Sequence, residues 1–350
     1  MLHLHIFQFI NIFEKQANIL IIMIPDSSKV VIDNNETLVL QFLNELIIQP
    51  RHTIRGWSSI TNQTPAVKLG YIGQHLASLL TGVKGTGSGA RGDDLADHTE
   101  VKCCNKVDQA DKCLDCDGRV MRFQDTCPNC GSTNIERKED SKWLFSIRSE
   151  AELDQYKNLD RVLMILFDYP RFNEDIYTDI RISAFEIYPK NPRMQVFNTL
   201  IDNHYHHIFL PKLDANKKTN PMNLHPFGIQ FYKCNPIKTF ECIITDVDTA
   251  PVITINKFIS PSADRTNLSS ELMPACKLSR AEWNGLDFDT DIKPLLKTNT
   301  ITEKQFRKYS LKRIDEICNP INEELRNKIP LRDIVSVTQS EVYDRSHSTH

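Results

Sequence analysis

The chain has 350 residues, enough for one large domain or two modest ones with a sizeable core. Hydrophobic residues make up 40% and charged residues 25%, the balance of a folded globular protein rather than a disordered chain. The formal net charge of −3 supplies no general attraction for nucleic acid, so any phosphate contact has to come from local basic patches beside acidic groups.

The first 25 residues are apolar but interrupted by Glu14 and Lys15, with no basic leader region and no small-residue cleavage site. They read either as a packing helix or as an extension upstream of a start at Met23; neither reading implies a membrane. Residues 34 to 48 carry apolar positions at helical spacing behind an asparagine cap. A second helix is predicted from Val67 to Leu80, where Leu69, Ile72, Leu76 and Leu79 recur every three or four residues. A glycine-rich loop then leads to two short predicted strands, Asp93 to Asp97 and Thr99 to Cys104, joined by a tight turn.

Residues 105 to 138 are polar and cysteine-bearing and read as an insertion. Regular structure resumes with a strand at Trp143 to Ile147 and a helix capped by Ser149, with Glu152 completing a capping box. Arg161 to Phe167 is almost wholly apolar, as a strand buried on both faces should be, and Asp179 to Tyr188 alternates as a further strand. A helix is expected over 192–208, strands near 227–233 and 240–246, and a charged helix from Thr302 to Ile317 with Lys304, Lys308 and Lys312 on one face. The Ser- and His-bearing last ten residues read as frayed.

The chemistry concentrates in the run from Gly92 to Lys102. On a strand, the period of two puts Glu100 and Lys102 on one face, and a tight turn would bring Asp93 or Asp94 opposite Glu100. Two converging carboxylates make a hard oxygen site suited to Mg²⁺, and a neighbouring lysine adds positive charge where a phosphoryl transition state gathers negative charge.

The order of helix, Asp-bearing strand, E-x-K strand, further strand, helix and buried strand resembles the PD-(D/E)XK nuclease core. The wording GQHLASLLTG, GTGSGARGDD, EVKCC and SKWLFSIRSEAEL is similar to that of the MamI-type restriction endonucleases, over residues 57 to 190. The resemblance implies an α/β fold whose core is a mixed sheet flanked by helices, with Asp94, Glu100 and Lys102 as the catalytic trio and Mg²⁺ on the two acids. Asp93 competes for the place of the first acid; Asp94 is favoured because Leu95 follows it. The proline that usually precedes that aspartate is absent, Gly92 and Asp93 standing there instead.

Cys113-Leu-Asp-Cys116 and Cys127-Pro-Asn-Cys130 are paired C-x-x-C knuckles that can supply four thiolates to one structural Zn²⁺. Such pairs in a long chain favour metal binding in a reducing, cytoplasmic setting over disulfides. The inserted module either contacts the DNA backbone or serves structure alone. Cys103 and Cys104 read as strand thiols, and Lys84, Arg91, Arg137, Lys138, Lys142 and Arg148 are the basic residues nearest the acidic run. His204, His206 and His207 sit together without a carboxylate close in sequence.

The expected organisation is an N-terminal helical region (1–62, with 1–22 as the possible extension), a catalytic core (63–208) carrying the zinc insertion 105–138, and a C-terminal recognition and dimerisation region (209–350). The function implied is Type II restriction: hydrolysis of double-stranded DNA by a homodimer whose genetic partner is a cognate DNA methyltransferase. A repair or transposition nuclease on the same core, or a non-catalytic zinc-knuckle DNA-binding protein, are the alternatives.

Overall fold

The computed structural model describes residues 23–33, 35–87 and 93–332. The N-terminal 22 residues, the asparagine cap at 34, residues 88–92 of the glycine-rich loop with Arg91, and the C-terminal tail lie outside them.

The first helix runs further than its predicted span. Helix α1 (Asn35–Leu43) passes through a π turn (Asn44–Ile48) into α2 (Gln49–Thr61). Pro50 stands at the start of α2, lacks the N–H for a bond to the preceding turn, and the wider π turn absorbs that break. Asn62, in the left-handed region at φ 56°, ends the helix. Helix α3 (Gly70–Thr81) follows, with Gly73, Leu76, Ala77 and Leu80 buried on one face.

A five-stranded mixed sheet forms the centre, in the order β1 (Thr99–Asn105), β6 (Arg161–Asp168), β7 (Ile180–Ile187), β9 (Ile237–Thr245) and β10 (Val252–Phe258). Strand β1 pairs parallel with β6, with Glu100 opposite Val162 and Lys102 opposite Met164; the other pairings are antiparallel. Strand β6 is buried along its whole length, as its run of apolar residues required. Its alternate residues feed two cores. Leu163, Ile165 and Phe167 pack with α1 and α3, while Val162, Met164 and Leu166 pack with Phe145, Phe197 and the C-terminal helices. Strands β9 and β10, from beyond residue 209, complete the sheet.

Between β1 and β6 the chain builds a separate three-stranded sheet from β2 (Asp111–Cys113), β3 (Arg119–Val120) and β4 (Ile135–Glu136). It is followed by β5 (Trp143–Phe145), paired with β8 (Met222–Leu224), and by helix α4 (Glu150–Asn158). Helix α4 opens as expected on Ser149, whose Oγ accepts from the Glu152 N–H. The reciprocal half of the box is shifted: the Glu152 carboxylate accepts from the Arg148 N–H at 2.6 Å, one residue early.

Three predicted elements differ. Residues 93–97 form a turn in which Leu95 makes isolated bridges to Gly85 and Thr99, not a strand, because acidic residues and alanine have poor β propensity and the run is short. The stretch read as a strand near 227–233 is a short helix, Ile229–Lys233; Phe227 and Phe231 pack with Phe185 as an aromatic cluster rather than on a pleat. Residues 302–317 divide into Glu303–Phe306 and Leu311–Ile317, because Ser310 caps the second helix by accepting from Arg313. Lys304, Lys308 and Lys312 therefore share no single helical face. The strand expected at Trp143 forms over Trp143–Phe145 and pairs with Met222–Leu224 outside the main sheet, which leaves β1 at that sheet's edge. Among the described residues no helix is long and apolar enough to cross a membrane.

Behind the start of β1 lies a buried charge network. Arg161 Nη2 meets Asp97 Oδ2 at 2.6 Å, Nε donates to Thr99 Oγ1 at 3.0 Å, and Nη1 lies 3.5 Å from Glu186 Oε1. Arg265 and the Tyr188 hydroxyl complete the Glu186 shell. A cation at the mouth of an apolar strand is the sequence sign of such a network. Arg161→Met is expected to cost about 3 to 5 kcal/mol, since Asp97 and Glu186 lose a buried partner; urea unfolding measures it, and a cost below 1 kcal/mol would show the network is dispensable.

Candidate functional site

Strand β1 has two unlike faces and one open edge. Val101 and Cys103 turn toward α3, and a Cβ on Gly73 would overlap the Cys103 sulfur, so glycine there lets helix and strand meet closely. Glu100, Lys102 and Cys104 turn the other way, toward Phe145 and α4. Lys102 Nζ donates to Glu100 Oε1 at 2.5 Å, so the period of two brings these side chains together.

The open edge is where Asp94 sits. The Leu95 N–H donates to the Thr99 carbonyl, and the next exposed ladder donor, the Val101 N–H, is taken by Asp94 Oδ2 at 2.7 Å. Asp94 thus occupies the position a neighbouring strand's carbonyl would fill. Its other oxygen accepts from Gln74 Nε2 on α3 at 2.5 Å. Burial and the negative charge of Glu100 push the Asp94 carboxyl up to about 6, against the Val101 bond and Lys102, which lower it. A partly buried acid whose proton affinity is raised by its neighbour, with a second acid and a lysine beside it, is part of a donor set suited to a hard divalent cation.

Asp93 faces elsewhere. Its Oδ2 meets His98 Nδ1 at 2.6 Å, with the His98 side chain 70% exposed, so the adjacent aspartates point to different environments. Tyr71, Gln74, His75 and Ser78 on one face of α3, with Gly85, Thr86 and Gly87, line an open cleft that reaches Asp94.

Around Lys102, burial opposes the positive charge, but Glu100 and then Tyr156 outweigh it and raise the ammonium's pKa. Gln74 lies within the GQHLASLLTG wording but nothing in the sequence marks it as a partner of Asp94, and Tyr156 lies outside the quoted motifs. Of the basic residues nearby, Arg137 is committed to Asp111 at 2.9 Å and Lys138 to Glu136 at 2.7 Å, whereas Lys84 and Arg148 are exposed.

The four knuckle cysteines converge. All four sulfurs of Cys113, Cys116, Cys127 and Cys130 lie within 4.8 Å of one another, with Cys113 Sγ 3.6 Å from Cys130 Sγ and Cys116 Sγ 3.5 Å from Cys127 Sγ. Four thiolates around a tetrahedral ion at about 2.3 Å sit roughly 3.8 Å apart, so the set fits one metal ion. Gly131, at φ 74°, closes the second knuckle, its N–H donating to the Cys127 carbonyl at 2.8 Å. The module is locked to the body by Arg122, paired with Asp111 at 2.9 Å and set among the rings of Tyr169, Phe172 and Tyr177. None of the ten cysteines, all among the described residues, forms a disulfide. No histidine belongs to a metal-sized ligand group among the described residues, and His204 instead bonds the Asn220 carbonyl.

Comparison with known proteins places this architecture. A stretch of the chain is 39% identical over 59 residues to the Type II restriction enzyme MamI of Microbacterium ammoniaphilum, covering 17% of this chain and 19% of that protein. The match thus spans about a fifth of the relative's length. No solved structure matches. The family model for the MamI restriction endonuclease matches residues 56–276, which include α3, the turn at Asp94, β1, the cysteine module and all five strands of the central sheet. The chain belongs to the MamI restriction endonuclease family.

Proposed function

We propose that this protein is a Type II site-specific deoxyribonuclease that hydrolyses phosphodiester bonds in double-stranded DNA, on a PD-(D/E)XK core. The observation that carries the reading is the edge of β1, where Asp94 faces the strand that presents Glu100 and Lys102, inside the segment matched by the family. Asp94 and Glu100 are the residues to hold Mg²⁺. Bound there, the ion offsets negative charge on the scissile phosphate and the departing oxygen. Lys102 adds a fixed positive charge beside the same phosphate and orients the attacking water. Gln74 and the Val101 N–H hold the Asp94 carboxylate in place. The four cysteines hold a structural Zn²⁺, a closed site without a catalytic position.

A homodimer follows from the chemistry of a palindromic site, each subunit cutting one strand, and base contacts fall to the region after residue 209. A cognate methyltransferase would protect host DNA from such an enzyme. Purified protein with Mg²⁺ and supercoiled plasmid tests the reading. Discrete fragments are expected; random nicking would favour a repair nuclease, and binding without cleavage a zinc-knuckle DNA-binding protein. The two aspartates separate in the same assay. Asp94→Asn is expected to lower the single-turnover rate by about 10³-fold, and Asp93→Asn by less than about threefold. The reverse ranking would move the first acid to Asp93.

A further inference from the structure

Several cations of this chain are held by carboxylates, as Arg181 is by Asp168 at 2.6 Å and Arg193 by Glu323 at 2.8 Å. A loop that no motif marks is different. From His206 to Lys218 the sequence carries three lysines and two histidines against one carboxylate, Asp214, in a protein whose formal net charge is −3. Lys217, Lys218, His206 and His207 are exposed and Lys212 half-exposed, and among the described residues the three lysines form no ion pair.

The fold carries this loop toward the face of β1 that holds Glu100 and Lys102. The helix Val196–His204 lies along α4, joined by Lys157 to Asp202 at 3.0 Å, and its Phe197 meets Phe145 at 5.4 Å. It continues through a π turn, Tyr205–Phe209, into Leu210–Asp214. The chain then folds back on itself. The Lys217 N–H donates to the Lys212 carbonyl at 2.8 Å, and His204 Nε2 donates to the Asn220 carbonyl at 3.2 Å. Next comes β8, whose antiparallel register sets Met222 opposite Phe145. Residues before Met222 therefore run to the same end of this ribbon as residues after Phe145, which lead to the exposed Arg148. Phe145 is the ring 5.7 Å from the Lys102 ammonium, and the three residues from it to Arg148 span at most about 11 Å.

Resting on the nuclease reading above, we propose that Arg148, Lys212, Lys217 and Lys218, with His206 and His207, form a phosphate-binding surface that holds the duplex beside the scissile bond. Phosphates repeat about every 3.4 Å along one strand, so cations displaced by this distance from Lys102 meet neighbouring phosphates rather than the one being cut. Lysines on flexible stems suit that role, which needs charge and carries no base information. The nearby acids are partly taken up: Asp202 pairs with Lys157, and the Glu152 carboxylate accepts from the Arg148 N–H.

Binding of the full-length protein to a duplex of about 30 base pairs without added Mg²⁺, read by fluorescence anisotropy across a KCl series, tests the surface. Each lysine on a phosphate contributes about one unit to the slope of log affinity against log salt. Lys212→Ala with Lys217→Ala and Lys218→Ala should flatten that slope by about two to three units and weaken binding about 30-fold at about 0.1 M KCl. Melting temperature and Mn²⁺ affinity should stay as in the unchanged protein, and arginine at the same three positions should restore the slope. Lys304→Ala with Lys308→Ala and Lys312→Ala removes equal charge elsewhere and should alter the slope by less than about half a unit. An unaltered slope in the first variant, or an equal loss in both, overturns the surface and leaves the nuclease reading in place. Absence of cleavage by the unchanged protein, with the slope change present, overturns the nuclease reading while the phosphate-binding surface stands. Failure of the unchanged protein to bind duplex overturns both.

Discussion

Replacing Lys102 with alanine is expected to abolish measurable cleavage, a fall of at least about 10³-fold, while DNA affinity stays within about twofold. The reason lies in where its charge sits. The ammonium is partly buried, paired with Glu100 at 2.5 Å and backed by two aromatic rings, so it is not one of the exposed cations that meet DNA phosphates in the ground state. Its field is strong where water is scarce, and in the proposed mechanism it acts on charge that develops only in the transition state. Removing it also takes from Glu100 its ion-pair partner. Mn²⁺ affinity should then hold or tighten, which separates loss of a catalytic cation from collapse of the site. Gel assays of plasmid cleavage, filter binding and Mn²⁺ titration read the three quantities. Cleavage by Lys102→Ala at the rate of the unchanged protein would remove β1 from the chemistry.

The second large effect concerns the cysteine module. Its own core is three buried residues, Cys113, Val120 and Cys127, with Ile135 packed against them. Two of the three are knuckle cysteines, so hydrophobic burial cannot hold the module without an ion. Elemental analysis is expected to find one zinc per chain. Cys113→Ser with Cys116→Ser, or treatment with a strong chelator, should open residues 105–138 to protease and lower the melting temperature by about 5 to 10 °C, as a loss of a few kcal/mol does in a domain of this kind. The effect should reach the cluster of Asp94, Glu100 and Lys102, because the module leaves β1 at Asn105 and returns through β5, against which Tyr156 rests. Metal-free protein with an unaltered melting curve would refute the assignment.

Much of this site was legible in the residues. The knuckle spacing alone predicts four converging sulfurs, because two residues between cysteines is the span of one tight turn, a local geometry independent of the rest of the fold. The pairing of Glu100 with Lys102 is equally local, since alternation along a strand is a property of the backbone. Strand β6 followed from an apolar run too short for a helix and too continuous for a half-exposed strand.

Other features depended on partners far away in sequence. The alternation at 227–233 fits a strand as well as a short helix, and only the aromatic cluster around Phe231 decides between them. Asp94 and Asp93 are chemically identical neighbours. Which one faces β1 is set by the Val101 N–H on one side and Gln74, twenty positions back, on the other. Tyr156 reaches Lys102 only because α4 crosses that face of the sheet.

By itself, the amino-acid order determined what short-range geometry can enforce: the strand that aligns an acid with a lysine, the two knuckles, the buried strand and the Ser149 cap. Tertiary structure decided which aspartate meets the edge of β1, which cations are committed to ion pairs, and which aromatics back the lysine. Those outcomes turn on hydrogen bonds and burial between segments tens to hundreds of residues apart, and no local pattern in a single chain encodes them.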